Sequence, residues 1–185
     1  AEAPERTALV SVMAANNEIG TLQPLAEVVE IAHAFSIPVH SDGVQAVGAV
    51  GVDIAALGVD AFALTGHKLG GPIGAGALVV RRGVPLVPLA HGGGQEQGHR
   101  SGTVSKAAVS ALATAVFDAT SAQPISSQRI AALRDRLIAG VIDQVPDAVL
   151  HGPSVHTPQG RAARLPGIAN LSFPGCEGDS LLYLL

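Results

Sequence analysis

Lys68 stands in "ALTGHKLGGP", residues 63–72, between an apolar run and a glycine-rich turn, in a chain of 185 residues of which only 14% are charged. The same stretch offers a hydroxyl at Thr65 and an imidazole at His67. Elsewhere "ANNEIG" supplies Asn16 and Asn17, and "HSDGVQ" supplies Asp42 and Gln45. An amine, a carboxylate and phosphate-suited donors are together what pyridoxal 5'-phosphate requires. The lysine forms a Schiff base with the aldehyde, and the acid pairs with the protonated pyridine nitrogen so that the ring accepts electrons. Glycines in "GGPIGAG" and "HGGGQEQGHRSGT" offer backbone N–H groups to a phosphate. Neither is a P-loop, because G-x-x-x-x-G-K-[ST] is nowhere matched.

Each residue also has a plainer use. Lysines are mostly solvated, and Asp42 suits a strand end or the cap of a following helix. His40 and His67 suit half-buried strand positions. Pairing His40 with Asp42, or His91 with His99, falls short of a zinc ligand set, so no metal is expected. The glycines at 92–94 suit a turn, and Arg100 suits a surface charge. Cys176 suits a turn or core position, since no His, Lys or Arg beside it in sequence would activate it as a nucleophile.

The candidate residues become a site only if the fold gathers them. Short β-rich runs at 8–13, 37–42, 60–66 and 76–82 alternate with helix-period segments, and three of them are apolar on both faces, the pattern of buried parallel strands. Between the first two, "PLAEVVEIAHAFS" places Leu25, Val28, Val29 and Ala32 on one helical stripe behind Pro24. A second helix is expected within 44–57, although its glycines weaken it. The pattern predicts an α/β fold with a mostly parallel sheet and flanking helices. In open α/β sheets, ligands bind beyond the carboxyl ends of the strands. Asn16, Asn17, Asp42, Gln45, Thr65, His67 and Lys68 all follow such ends.

From about residue 104 the texture changes. A helix is expected over 104–121, a break at "AQP", and another helix over 126–145 carrying Ile130, Leu133, Leu137 and Val141 on one stripe, with Ser126 or Ser127 as its cap. Short strands are expected at 148–152 and within 167–175, with a polar loop between them. A domain boundary near 121–125 divides the chain into 1–122, part of a large domain, and 123–185, the beginning of a smaller α+β domain.

Hydrophobic residues make up 48% of the chain, enough for a buried core, and no apolar run reaches the roughly 18 residues of a membrane span. A net charge of −4 with no basic run argues against nucleic acid or an anionic membrane as partner. A single cysteine excludes an internal disulfide and agrees with a reducing compartment. The start has neither the basic flank nor the apolar segment of a signal peptide, so a cytoplasmic location is expected. A strand soon after Ala1 and an uncapped "EGDSLLYLL" at the other end are the pattern expected of a fragment.

At these motifs the sequence resembles the cysteine desulfurases, members of the class V aminotransferase group of fold-type I pyridoxal phosphate enzymes. "NNEIGTLQPL", "HSDGVQAVG", "TGHKLGGPIGAGAL", "HGGGQEQGHRSGT" and "NLSFPGCEGDSLLYLL" match that family in order and spacing. The resemblance implies that Lys68 binds the cofactor and shuttles the substrate's α-proton. It implies further that Asp42 pairs with the pyridine nitrogen and Gln45 with the ring hydroxyl, that Asn17 touches cofactor and substrate, and that Thr65 and His67 hold the phosphate. Thr103, in "RSGT", resembles the residue that reaches the phosphate of the neighbouring subunit, which implies a homodimer. The family converts L-cysteine to L-alanine and passes the sulfur, as an enzyme persulfide, to an iron–sulfur scaffold or another acceptor. The "NNEIG", "GGGQE" and "RSGT" forms favour the branch serving iron–sulfur assembly or nitrogenase.

Departures from the family pattern are specific. The family's nucleophilic cysteine lies beyond the "EGDSLLYLL" helix, so Cys176 is not expected to fill that role and the fragment alone is not expected to turn over cysteine. Gly43 follows Asp42 where the family commonly has Ala, and Ile73 stands where Lys is frequent. Two alternatives remain open: another class V aminotransferase, which the same Lys68 and Asp42 would serve, or a catalytically silent truncated domain of the same fold.

Overall fold

The computed structural model describes residues 4–153 and 163–184. Strands β1 (Val10–Met13), β2 (Val39–Asp42), β3 (Ala61–Thr65) and β4 (Gly76–Val80) form one sheet in the order β1-β2-β3-β4. β1, β2 and β3 run parallel, and β4 returns antiparallel to β3. The expected α/β, mostly parallel architecture is therefore observed. β4 is the exception because only a short glycine-rich turn separates it from β3, too short for a parallel crossover.

Helix α1 (Leu25–His33) makes the crossover from β1 to β2. It buries Leu25, Val29 and Ala32, as the 3.6-residue spacing predicts, with Val28 packed at the margin. These side chains meet Val39 and Phe62, both fully buried, together with Ala46, Val47 and Val59. Burying each of the larger aliphatic or aromatic side chains contributes about 1.5–3 kcal/mol. Strand burial is one-sided: Val39 and Ser41 face this core while His40 and Asp42 face away, and β4 is largely exposed. Among the described residues the helix of the β1–β2 crossover packs on one face of the sheet, and the other face is open.

One helix expectation is met in part and two are corrected. Within 44–57 the chain forms a turn at 44–49, and only α2 (Ile54–Leu57) is helical, started by Asp53 Oδ1 accepting from Ala56 N–H and ended by Gly58. The break at "AQP" is absent, because α3 (Lys106–Gln144) runs through Pro124 without interruption. Proline there removes the hydrogen bond to one carbonyl, that of Thr120. Side chains brace the same turn instead: Gln123 Nε2 donates to Ser127 Oγ at 3.2 Å, and Ser127 donates to the Ala49 carbonyl at 2.7 Å. Ser127 is thus a tether inside the helix, Ser126 Oγ donates back to the Gln123 carbonyl of the same helix, and Ser105 caps it. The predicted stripe lies largely open, with Leu133 and Leu137 exposed, while Arg134 is buried where its Nη1 donates to the Leu165 carbonyl at 2.8 Å.

β5 (Val149–Leu150) and β6 (Leu171–Ser172) pair antiparallel, shorter than the expected strands, and α4 (Gly178–Leu184) follows. Most of the polar loop expected between β5 and β6 lies outside the described residues. Residues 163–165 pair back onto the loop after β1, through Leu22 N–H to Ala163 O and Leu165 N–H to Gly20 O. α3 crosses residues 122 and 123 as one helix.

Candidate functional site

The parallel register sets the carboxyl ends of β1, β2 and β3 side by side, with Met13 opposite Asp42 and Asp42 opposite Ala63. The loop after β1 carries Asn16 and Asn17. Asn16 shapes it, its Oδ1 accepting from the N–H groups of Glu18 and Ile19 at 2.9 Å, which leaves Asn17 exposed. Asp42 ends β2 with an exposed carboxylate whose Oδ1 accepts from Val44 N–H at 2.9 Å, opening the turn that holds Gln45. Its plainer use as a local cap is therefore real, but it occupies one oxygen.

At the end of β3, Thr65 Oγ1 and His67 Nδ1 lie 2.9 Å apart. Lys68 follows in a 3₁₀ turn, His67–Leu69, closed by Gly70 at φ 77. Only a residue tolerant of the left-handed region closes such a turn cheaply. The turn is pressed between the strand and α3: a Cβ on Gly71 would lie 2.8 Å from Ala115 Cβ, and one on Gly66 would lie 2.9 Å from the Pro72 carbonyl. Lys68 stands exposed on this closely packed turn. Behind it a cavity of about 380 Å³ is shared by Lys68, Gln45, Leu69, Ala119 and Ser127.

The fold thus brings Asn17, Asp42, Gln45, Thr65, His67 and Lys68 to one rim. Thr103 lies exposed on the separate loop ahead of α3, where Gly102 N–H donates to Gln95 Oε1. Cys176 is exposed, with its N–H donating to the Phe173 carbonyl, a turn position. Two features escape a reading by motif alone. The first is contact between Gly43 and Phe62: a Cβ at Gly43 would lie 1.9 Å from Phe62 Cζ, so the departure from Ala is a packing requirement. The second is a hydrogen bond between Ser11 Oγ and His40 Nδ1 at 2.8 Å, whose only sequence signal is the alternation of "VHSD".

At the opposite end of the sheet, buried Asp60 accepts from His33 Nε2 at 2.8 Å and Val39 N–H at 2.7 Å, and pairs with Arg81. Burial alone would raise its carboxyl pKa, but the His33 hydrogen bond, the Val39 N–H and the Arg81 charge together hold it below the ordinary value. His33, Asp60 and Arg81 line a second cavity of about 660 Å³, away from the rim.

The donor set fits pyridoxal phosphate by its chemistry: an exposed amine, a carboxylate with one oxygen uncommitted among the described residues, an amide, and a hydroxyl–imidazole pair, all at one strand-end rim. The fold is that of the fold-type I pyridoxal phosphate proteins. A NifS-like protein superposes over 100% of this chain and 50% of its own with a TM-score of 0.87 at 35% identity. DndA from Streptomyces lividans superposes with a TM-score of 0.81 at 33% identity, covering 97% of this chain and 49% of its own.

The family described as aminotransferase class-V matches residues 2–185, and the chain belongs to it, among its cysteine desulfurase relatives. An IscS-like cysteine desulfurase of Mycobacterium tuberculosis is 48% identical over 178 residues, 96% of this chain and 44% of that protein. The cysteine desulfurase of Homo sapiens is 41% identical over 97% of this chain and 38% of its own length. The chain spans less than half the length of these relatives.

Proposed function

We propose that this chain carries the cofactor-anchoring part of a pyridoxal phosphate-dependent cysteine desulfurase, which takes L-cysteine to L-alanine and hands the sulfur, as a persulfide, to an acceptor such as an iron–sulfur scaffold. The observation that supports it most is the shared rim of Lys68 and Asp42 on adjacent parallel strand ends, in a chain whose relatives are named cysteine desulfurases. A structurally similar protein, SspA, is described in complex with cysteine, at 38% identity and a TM-score of 0.58.

When bound, pyridoxal phosphate supplies an aldehyde that captures amines and a protonated ring that draws electrons from the substrate's α-carbon. Lys68 Nζ would be the amine that holds it and, as a free amine, the base that takes and returns the substrate's α-proton. Asp42 holds the proton on the ring nitrogen, Gln45 and Asn17 orient the ring hydroxyl, and Thr65 and His67 bind the phosphate. Thr103 reaches the phosphate of a second copy, so the working form is a homodimer. Apolar side chains exposed along α3, Val109, Phe117 and Ile125, leave a face for further protein to cover, the rest of the complete protein or a second copy. Cys176 does not accept the sulfur; that role belongs to another cysteine of the complete protein. Residues 1–122 belong to the large domain and 123–185 to the small one, with α3 as the rod between them.

The test uses the complete native protein. One portion is loaded with pyridoxal phosphate, reduced with borohydride and mapped; a second, loaded but unreduced, is assayed with L-cysteine and a thiol reductant for alanine and sulfide. An adduct on Lys68, absent in Lys68→Ala, with alanine and sulfur released in equal amounts, is the expected result. No adduct overturns the cofactor reading. An adduct accompanied by a keto acid product assigns the protein to another class V aminotransferase, and an adduct with no turnover of cysteine assigns it to the silent class.

A further inference from the structure

We propose that Ser11 and His40 are a positioning pair that sets the Asp42 carboxylate against the cofactor's ring nitrogen; the inference rests on the pyridoxal phosphate reading above. Ser11 on β1 and His40 on β2 are register partners, and Ser11 Oγ lies 2.8 Å from His40 Nδ1. Val39 and Ser41 are turned into the core, so His40 and Asp42 share the other face of β2. Two residues apart on a strand, they are about 6.6 Å apart along it, within reach of an imidazole and a carboxylate that lean together. The rest of that face is largely Met13, Ala61 and Ala63, neighbours that give a serine–histidine pair no polar reason to be there.

The free valences match. Val44 N–H takes Asp42 Oδ1, and among the described residues neither Asp42 Oδ2 nor His40 Nε2 has a hydrogen-bond partner. A histidine held at one ring nitrogen presents the other in a defined direction and tautomer. With the Ser11 hydroxyl donating to Nδ1, the ring proton resides on Nε2. An N–H donated from there to Asp42 Oδ2 would fix the direction in which the carboxylate faces the ring nitrogen, Oδ1 being held already by Val44 N–H. Neither Ser11 nor His40 touches the cofactor in this arrangement; both act through Asp42.

The test measures cofactor affinity and the visible absorption of the bound cofactor in the complete native protein. The comparison covers wild type, Ser11→Ala, His40→Leu, His40→Gln and the Ser11→Ala/His40→Leu double variant. His40→Leu is expected to weaken cofactor binding about tenfold, the size usual when a group that orients a ligand is lost, and to change the position or ratio of the visible bands. Ser11→Ala does the same to a smaller degree, His40→Gln restores the wild-type spectrum by keeping an N–H donor, and the double variant is no worse than His40→Leu. Ser11 is exposed, so its truncation keeps the test open even where His40→Leu folds poorly. A cofactor adduct present in wild type and unchanged in band and affinity in Ser11→Ala and His40→Leu overturns the pair alone. No adduct in wild type overturns the cofactor reading and the pair with it.

Discussion

At the scale of single residues, the site depends on one contact that has no chemistry of its own. Phe62 is fully buried and its ring fills the space where a side chain at position 43 would begin, directly after the proposed ring-nitrogen acid. Gly43→Ala is expected to cost about 1–3 kcal/mol by overpacking and to shift Asp42, lowering cofactor affinity. Gly43→Ala with Phe62→Leu should recover both. Denaturant midpoints and a cofactor titration on the four combinations check this, and equal stability of Gly43→Ala and wild type would refute it. The residue types at the rim were legible in the sequence because strand ends and glycine turns have local signatures. The Gly43–Phe62 pair was not, because the two residues meet across β2 and β3, and neither reveals its partner locally.

At the scale of elements, α1 shows how a local rule is bent. The helix closes with Ile37 N–H bonding to Ala32 O and Ser36 N–H to His33 O, the Schellman pattern, with Ile37 and Ala32 both buried. The left-handed position is Ser36, at φ 58, where glycine is usual. A left-handed non-glycine residue costs roughly 1–2 kcal/mol, and glycine's greater freedom when unfolded offsets roughly 0.5–1 kcal/mol of that. Ser36→Gly is therefore expected to stabilise by about 0.5–1 kcal/mol, read as a rise in denaturant midpoint at unchanged slope. α3 shows the opposite: Pro124 and the serines after it read as a helix break and a new cap. Ser127 reaches Ala49 instead and holds α3 beside the turn that carries Gln45. Propensity acts through neighbours in sequence, and a tether 78 residues away outweighed it.

At the scale of the molecule, Asp60 joins the end of α1, the start of β2 and the end of β4 through His33, Val39 and Arg81. Its folded pKa lies below the ordinary 3.8. The unfolded chain therefore binds the proton first as pH falls, and the stability that Asp60 contributes, complete above the ordinary carboxylate value, is lost as pH drops through the lower folded one. Unfolding curves from about pH 6 to about pH 2 should show that loss, and Asp60→Asn should be less stable at neutral pH with a shallower acid limb. By itself the sequence determined the α/β class, the strand–helix–strand unit of β1, α1 and β2, and the residue types that follow the strand ends, because hydrophobic period and turn chemistry are local properties. Only the tertiary structure decided that β2 has one core face and one face bearing His40 and Asp42, that Ser11 lies opposite His40, that Gly43 yields to Phe62, and that α3 continues through Pro124. Those outcomes depend on register and on contacts between segments distant in sequence, whose energies no short window of residues contains.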